Sequence, residues 1–305
     1  MRRDQDEADK SILPRPRIQD GVLLLGKSES KDEPNAKKAG VASGQQTVTS
    51  YTVRGATDVG RKRDHNEDSF LVDENLRIFA VADGMGGHAG GGIASRLAVE
   101  TLQATLRARR DANPHAFQDH TSLESSLLPD VLRSSVEAAC QAIFRRAQGI
   151  PALSGMGTTL TALLINHRNA FVAHVGDSRL YLIRKGQILQ ISDDHSLVNE
   201  QLKAGVITPE EAKSSRFRNV ITRSVGFEED VLVDLLGLEI EKGDVFLICC
   251  DGLTNLVDDA EIAAMARSES VLYLPLRLIG LANDRGGDDN ITVVALEIDE
   301  VAGPV

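Results

Sequence analysis

Arg77-Ile78-Phe79-Ala80-Val81-Ala82-Asp83-Gly84-Met85-Gly86-Gly87 is the stretch from which the fold can be read. Residues Arg77–Ala82 are apolar at most positions, which predicts a buried strand. The strand ends on an acid and a run of glycines. A helix follows from about Gly92 to Arg109, with Ile93, Leu97, Leu102 and Leu106 along one face. Working outward, Tyr51–Ala56 and Ser69–Val72 read as strands before it. Residues 111–122 are loop-like, and a second helix spans about Glu124 to Gln148. Strands are expected at Thr158–Ile165, Ala170–Val175, Leu180–Ile183, Gln187–Ile191, Val231–Leu238, Asp244–Cys250 and Ile291–Ile298, and helices at Asp259–Ala266 and Val271–Asn283. Runs of strands broken by paired long helices predict an α+β layered sandwich rather than strict βαβ alternation.

Composition narrows the function classes. The chain has 305 residues, 34 basic against 45 acidic, for a net charge of −11, with 42% hydrophobic and 26% charged residues. That is the balance of a globular protein with an ample core. An acidic surface argues against nucleic acid or an anionic membrane as general partner. No apolar run reaches the ~18 residues of a membrane span. Acids at Asp4, Asp6, Glu7 and Asp9 argue against a secretory signal, and three cysteines make no disulfide framework, so a reduced, cytoplasmic protein is expected. Residues 1–50 carry nine basic and eight acidic residues, net +1, which leaves −12 on the rest. They lack hydrophobic periodicity and are expected to be a disordered N-terminal extension. Ser28, Ser30, Thr47 and Ser50 there read as solubilising hydroxyls sooner than as modification sites.

Carboxylates recur where strands end. Glu67 and Asp68 precede one strand, Asp83 ends the next, Asp177 follows Val175-Gly176, Asp251 precedes Gly252, and Asp289 follows Gly286-Gly287. Any one Asp-Gly is most simply a turn. Together, on converging strands, such acids would repel one another unless cations lay among them, and oxygen-only ligation suits Mg²⁺ or Mn²⁺. A competing reading is the dinucleotide pattern at Gly84-Met85-Gly86-Gly87-His88-Ala89. Asp83 counts against it, since an acid would face the pyrophosphate, and no second strand ending in an acid follows.

The ordered set of motifs resembles the metal-dependent protein Ser/Thr phosphatases of type 2C, in their bacterial branch. The matching residues are Arg63-Asp64-His65-Asn66-Glu67-Asp68, Val81-Ala82-Asp83-Gly84-Met85-Gly86-Gly87-His88, Gly155-Met156-Gly157-Thr158-Thr159, Val175-Gly176-Asp177-Ser178-Arg179, Asp193-Asp194-His195-Ser196, Cys250-Asp251-Gly252-Leu253-Thr254 and Gly287-Asp288-Asp289-Asn290-Ile291-Thr292. The resemblance implies a four-layer α-β-β-α sandwich of two antiparallel sheets, over residues 51–300, with a flap subdomain at about 192–226. It implies that Asp83, with its carboxylate, and Gly84, with its carbonyl, bridge two divalent ions. Asp251 and Asp289 would complete one ion's shell, and Glu67 and Asp68 would hold the other. Asp177 would bind a third ion found in many members, and Arg63 would grip the substrate phosphate.

The expected chemistry is hydrolysis of phosphoserine and phosphothreonine on proteins by a hydroxide bridging two Mn²⁺ or Mg²⁺, with Asp83, Asp251 and Arg63 as the catalytic residues. The expected partners are phosphoproteins and a Ser/Thr kinase, and the expected state is a monomer. A catalytically silent phosphoprotein-binding module of the same fold is the alternative, and its sequence signature would be a lost metal acid. Cys249 and Cys250 are read as core. Met85 stands where some members carry a histidine general acid, and His88 is the nearest substitute. In the flap, Ser214-Ser215 replaces the usual His-Pro, and Arg216, Arg218 and Arg223 are read as solvated or structural sooner than as phosphopeptide contacts.

Overall fold

Strand β5 (Ile78–Met85) is buried on both faces, and its alternation sets the layering. Ile78 and Ala80 pack with helices α1 (Gly90–Ala112) and α2 (Leu128–Ala147), through Leu102, Leu106, Leu132, Val136 and Ile143. Phe79 and Val81 point the other way, into a second apolar layer with Leu180, Leu182, Phe246, Ile248, Val294 and Leu296. A period of two with both faces apolar is what a central strand between two layers requires. The computed structural model describes residues 15–19, 22–26, 48–86, 90–117 and 126–303.

Two sheets carry these layers. The eight-stranded sheet runs β1 (Arg15–Gln19), β2 (Val22–Gly26), β11 (Asp234–Glu239), β8 (Asn169–Val175), β7 (Leu160–Asn166), β5 and β4 (Asp68–Asp73), with β6 (Gly157–Thr158) paired to β5. The five-stranded sheet runs β10 (Gln187–Gln190), β9 (Arg179–Arg184), β12 (Val245–Cys249), β13 (Ile291–Glu300) and β3 (Ser50–Asp58). Helices α6 (Asp259–Ser268) and α7 (Leu274–Asp284) cover its outer face over a third apolar cluster that includes Leu247, Val293, Ile262 and Leu278. The result is the expected four-layer α-β-β-α sandwich.

Three details depart from the sequence reading. Strands β1 and β2 lie within the segment read as a disordered extension, and β2 runs parallel to β11, with Leu236 opposite Leu23 and Leu238 opposite Leu25. This is the single parallel pair among the described residues in sheets expected to be antiparallel throughout. The edge of β11 not taken by β8 gives Val22-Leu23-Leu24-Leu25 a ladder that sequence periodicity cannot reveal. Helices α2 and α7 also begin later than expected, because Pro129 and Pro275 fit only in the first helical turn. The flap lies between β10 and β11 and contains α3 (Leu197–Lys203) and α4 (Pro209–Ser214), the latter opened by a Thr208/Glu211 capping box.

A candidate metal centre at the strand ends

The register of the two sheets brings the acids together. Asp68, first residue of β4, stands opposite Asp83 near the end of β5. Across the sandwich, the Thr292 hydroxyl of β13 donates to Asp68 Oδ2 at 2.6 Å, tying the two sheets at this point. Asp251 lies two residues beyond β12 and opens the short helix α5 (Asp251–Thr254), and Asn255 Nδ2 donates to its Oδ2 at 3.1 Å. Asp289 precedes β13, and Asp177 sits in the turn between β8 and β9. Asp68, Asp83, Asp177, Asp251 and Asp289 thus lie close enough to act on one another's charge.

The electrostatics are those of a site built for cations. Asp68 is buried, and its Oδ1 has no hydrogen-bond partner. Burial, with repulsion from Asp251 and Asp289, pushes its carboxyl up to about 7 against hydrogen bonds that favour ionisation. Asp83 rises well above the carboxylate range for the same first reason, reinforced by Asp68, Asp251, Asp177 and Asp289. Asp177 is pushed up to about 8 by burial, then by Asp251 and Asp194, and Asp251 is raised by burial and by Asp289. Four carboxylates that resist ionisation together, one with an orphaned buried oxygen, fit a divalent-ion donor set.

Glycine shapes the floor of the site. A Cβ on Gly84 would lie 2.1 Å from the Gly91 carbonyl oxygen and 2.5 Å from that of Glu67. A Cβ on Gly91 would meet Gly84 O at 2.7 Å and the Glu67 carboxyl carbon at 2.9 Å. Helix α1 therefore starts in contact with the backbone of the acid loop, and the Glu67 side chain lies at its N-terminal end, where a negative charge is favoured. The Glu67 N–H donates to Asn290 Oδ1 and its carbonyl accepts from Ser95. The Asp83 backbone is held by Thr158 and Thr159, which leaves its side chain to the centre.

Other expected residues fall as follows. Arg63 is exposed at the rim and donates from Nη2 to Asp289 Oδ2 at 2.7 Å. Cys249 is core, but Cys250 comes nearer the acids than a core reading implies: its sulfur is one of three ligand-type atoms, with Asp68 and Asp83 oxygens, all within 4.8 Å of one another. Burial pushes both thiols far up, so neither offers a thiolate. Met85 is half-buried, and His88 lies outside the described residues. Arg223 pairs with Asp234, while Arg216 lies over the Phe217 ring and Arg218 is exposed. Sequence reasoning quoted His195 without giving it a task and missed Asp234, whose signal is only an acid opening a strand.

Comparison with known proteins agrees with this geometry. The protein phosphatase 2C family profile matches residues 57–273. The serine/threonine phosphatase stp of Listeria monocytogenes is 37% identical over 80% of this chain and 94% of its own length. The crystal structure of the Mycobacterium tuberculosis serine/threonine phosphatase PstP/Ppp matches with a TM-score of 0.71 at 37% identity, covering 83% of this chain and all of that one. A structure of the PstP catalytic domain in complex with two manganese ions, 35% identical, matches with the same score of 0.71 over 83% of this chain and 100% of that one.

Proposed function

This chain belongs to the protein phosphatase 2C family, and we propose that its metal-dependent serine/threonine phosphatase activity is carried by the acids gathered at the strand ends. The enzyme hydrolyses phosphoserine and phosphothreonine on proteins, with Mn²⁺ or Mg²⁺ as cofactor. In our reading the catalytic domain spans residues 51–300, and the flap about 192–226. Asp83, through its carboxylate, and Gly84, through its carbonyl, would serve both ions, Asp251 and Asp289 would complete the shell of one, and Glu67 and Asp68 would hold the other. Asp177 serves a third beside Asp251. The observation that carries this assignment is the buried, unpartnered Asp68 Oδ1 within a group of carboxylates raised by burial and then by mutual repulsion.

When bound, such ions acidify a water and offset the charge of the phosphate, which otherwise repels a nucleophile. The residues supply position. The two sheets fix Asp68, Asp83 and Asp251 at one point through the Thr292 and Asn255 hydrogen bonds. Arg63, held by Asp289 through Nη2, keeps further guanidinium donors with which it would meet a phosphomonoester's equatorial oxygens in a two-pronged contact. No protein nucleophile is needed. Water attacks phosphorus, the P–O bond to the serine or threonine oxygen breaks, and that oxygen leaves with a proton.

We further propose a cytoplasmic monomer that reverses the action of a Ser/Thr kinase and does not bind nucleic acid, on the strength of its −11 charge. No helix among the described residues is long and apolar enough to cross a membrane. The test is release of phosphate from p-nitrophenyl phosphate and a phosphothreonine peptide, with Mn²⁺ or EDTA. Asp83→Ala and Asp251→Ala are expected to lower Mn²⁺-dependent turnover by roughly 10⁴-fold, about 5 kcal/mol of barrier. Near-normal turnover in either folded variant would remove these acids from the site.

A further inference from the structure

We infer that His195, oriented by Asp234, is a positioning residue that holds Asp177 at the metal centre and joins it to the root of the flap. The inference rests on the reading of Asp177 as a metal ligand. His195 clamps Gly176, the residue before Asp177, from both sides. The Gly176 N–H donates to His195 Nδ1 at 3.0 Å, and the His195 N–H donates to the Gly176 carbonyl at 2.8 Å. Gly176 has φ of +110°, and a Cβ there would lie 2.6 Å from the Thr159 side chain, so the turn has little freedom of its own.

The clamp also fixes the ring. Since Nδ1 accepts from Gly176, the ring proton lies on Nε2, which faces Asp234 Oδ2 at 3.0 Å. Asp234 Oδ1 in turn takes Arg223 Nη1 at 2.6 Å, from the exit of the flap. The backbone repeats the connection: Thr222 N–H donates to the His195 carbonyl, and Leu197 N–H donates to that of Val220. One buried residue therefore joins the turn that carries Asp177 and strand β11 through its ring, and the exit of the flap through its backbone carbonyl. Hydrogen-bond partners behind the residues that hold a metal fix their orientation, and loss of such partners costs roughly 10–100-fold in affinity or activity.

The two amide substitutions separate the ring's two nitrogens. Asn places its Oδ1 near the position of Nδ1 and can still accept from Gly176, whereas Gln reaches toward Asp234 and leaves the Gly176 N–H unpaired. Full-length wild type, His195→Asn, His195→Gln, Asp234→Ala and Asp177→Asn would be titrated with Mn²⁺ by isothermal calorimetry, beside kcat, KM for p-nitrophenyl phosphate, and Tm. His195→Gln is expected to lose the weakest Mn²⁺ binding event and to need roughly 10–100-fold more Mn²⁺ for half-activation, with kcat falling more than KM rises. His195→Asn should recover most of that loss. Asp234→Ala, which leaves the ring without its acceptor, should shift Mn²⁺ binding the same way by a smaller factor.

Equal behaviour of the Asn and Gln variants overturns the inference, as does a lowered Tm with wild-type Mn²⁺ binding in His195→Gln. If His195→Gln does not fold, wild-type Mn²⁺ binding in Asp234→Ala overturns it. Asp177→Asn separates the two levels. Weakened Mn²⁺ binding in Asp177→Asn with none in His195→Gln sinks the positioning role and leaves the ligand reading standing. Unchanged binding in Asp177→Asn sinks the ligand reading and this inference with it.

Discussion

Two buried acids in this sandwich have opposite electrical situations. Asp244, just before β12, meets Arg184 in a two-pronged contact, Nε to Oδ1 at 2.7 Å and Nη2 to Oδ2 at 2.6 Å, with both side chains 1% exposed. The Glu241 N–H adds a third bond to Asp244, and Arg184 Nη2 also donates to the Glu239 carbonyl. Burial raises the Asp244 carboxyl, as it does that of Asp68, but here Arg184 draws it back down, and Asp244 in turn holds Arg184 above its ordinary value against burial. Asp68 is buried to a similar degree and has only neutral donors, with other acids for company. One region neutralises itself and is purely structural, whereas the other depends on cations from outside. The same residue type thus serves scaffold or chemistry according to whether a guanidinium lies within reach.

Matched substitutions would break that comparison. Asp244→Asn strands a buried guanidinium and is expected to cost about 3–5 kcal/mol of stability, read by urea or thermal unfolding, with kcat of the folded fraction unchanged. A stability within about 1 kcal/mol of wild type would mean that the pair contributes nothing net. Arg63→Ala comes next in size. Removing a charged two-pronged contact to the phosphate is expected to cost roughly 10–100-fold in kcat/KM for p-nitrophenyl phosphate, mainly through KM, with Arg63→Lys intermediate. If both variants act alike and weaken Mn²⁺ binding instead, Arg63 serves Asp289 and not the substrate.

Asp68→Asn should go the opposite way from Asp244→Asn. In EDTA at about pH 8 it removes one of several repelling charges, so the metal-free protein is expected to gain roughly 1 kcal/mol. In Mn²⁺ the sign should reverse, because a donor has been lost. Destabilisation under both conditions would show Asp68 to be a structural acid like Asp244.

The two regions also differ in how far the sequence reveals them. The acid centre is legible because each member is a local pattern, an acid at a strand end beside glycine, as at Asp83-Gly84 and Asp251-Gly252. Strand alternation at Ile78–Val81 likewise gives the layering. The Arg184–Asp244 pair joins residues 60 positions apart with no motif at either end, and only the pairing of β9 with β12 brings them together. Cys250 reads as core until β13 places Asn290 and Thr292 against its sulfur. The β1–β2 hairpin stayed hidden because its ladder partner, β11, lies at the other end of the chain.

Asp234 stands between the two cases, a half-exposed acid with both a histidine and an arginine. Burial pushes its carboxyl up, but the His195 and Arg223 hydrogen bonds and charges outweigh that and draw it down to about 2. A carboxyl lowered on folding contributes stability above its unfolded value, near 4, and that contribution fades as pH falls toward about 2. Asp234→Asn should therefore be less stable than wild type at neutral pH, by a small margin because the pair is partly solvated, and the two unfolding curves should converge in acid. Measuring Tm of both proteins from neutral pH down to about 3 checks this. A gap that stays constant with pH would mean that Asp234 acts through packing and not through its charge, and would place it with the core of β11 instead of with the flap's anchor.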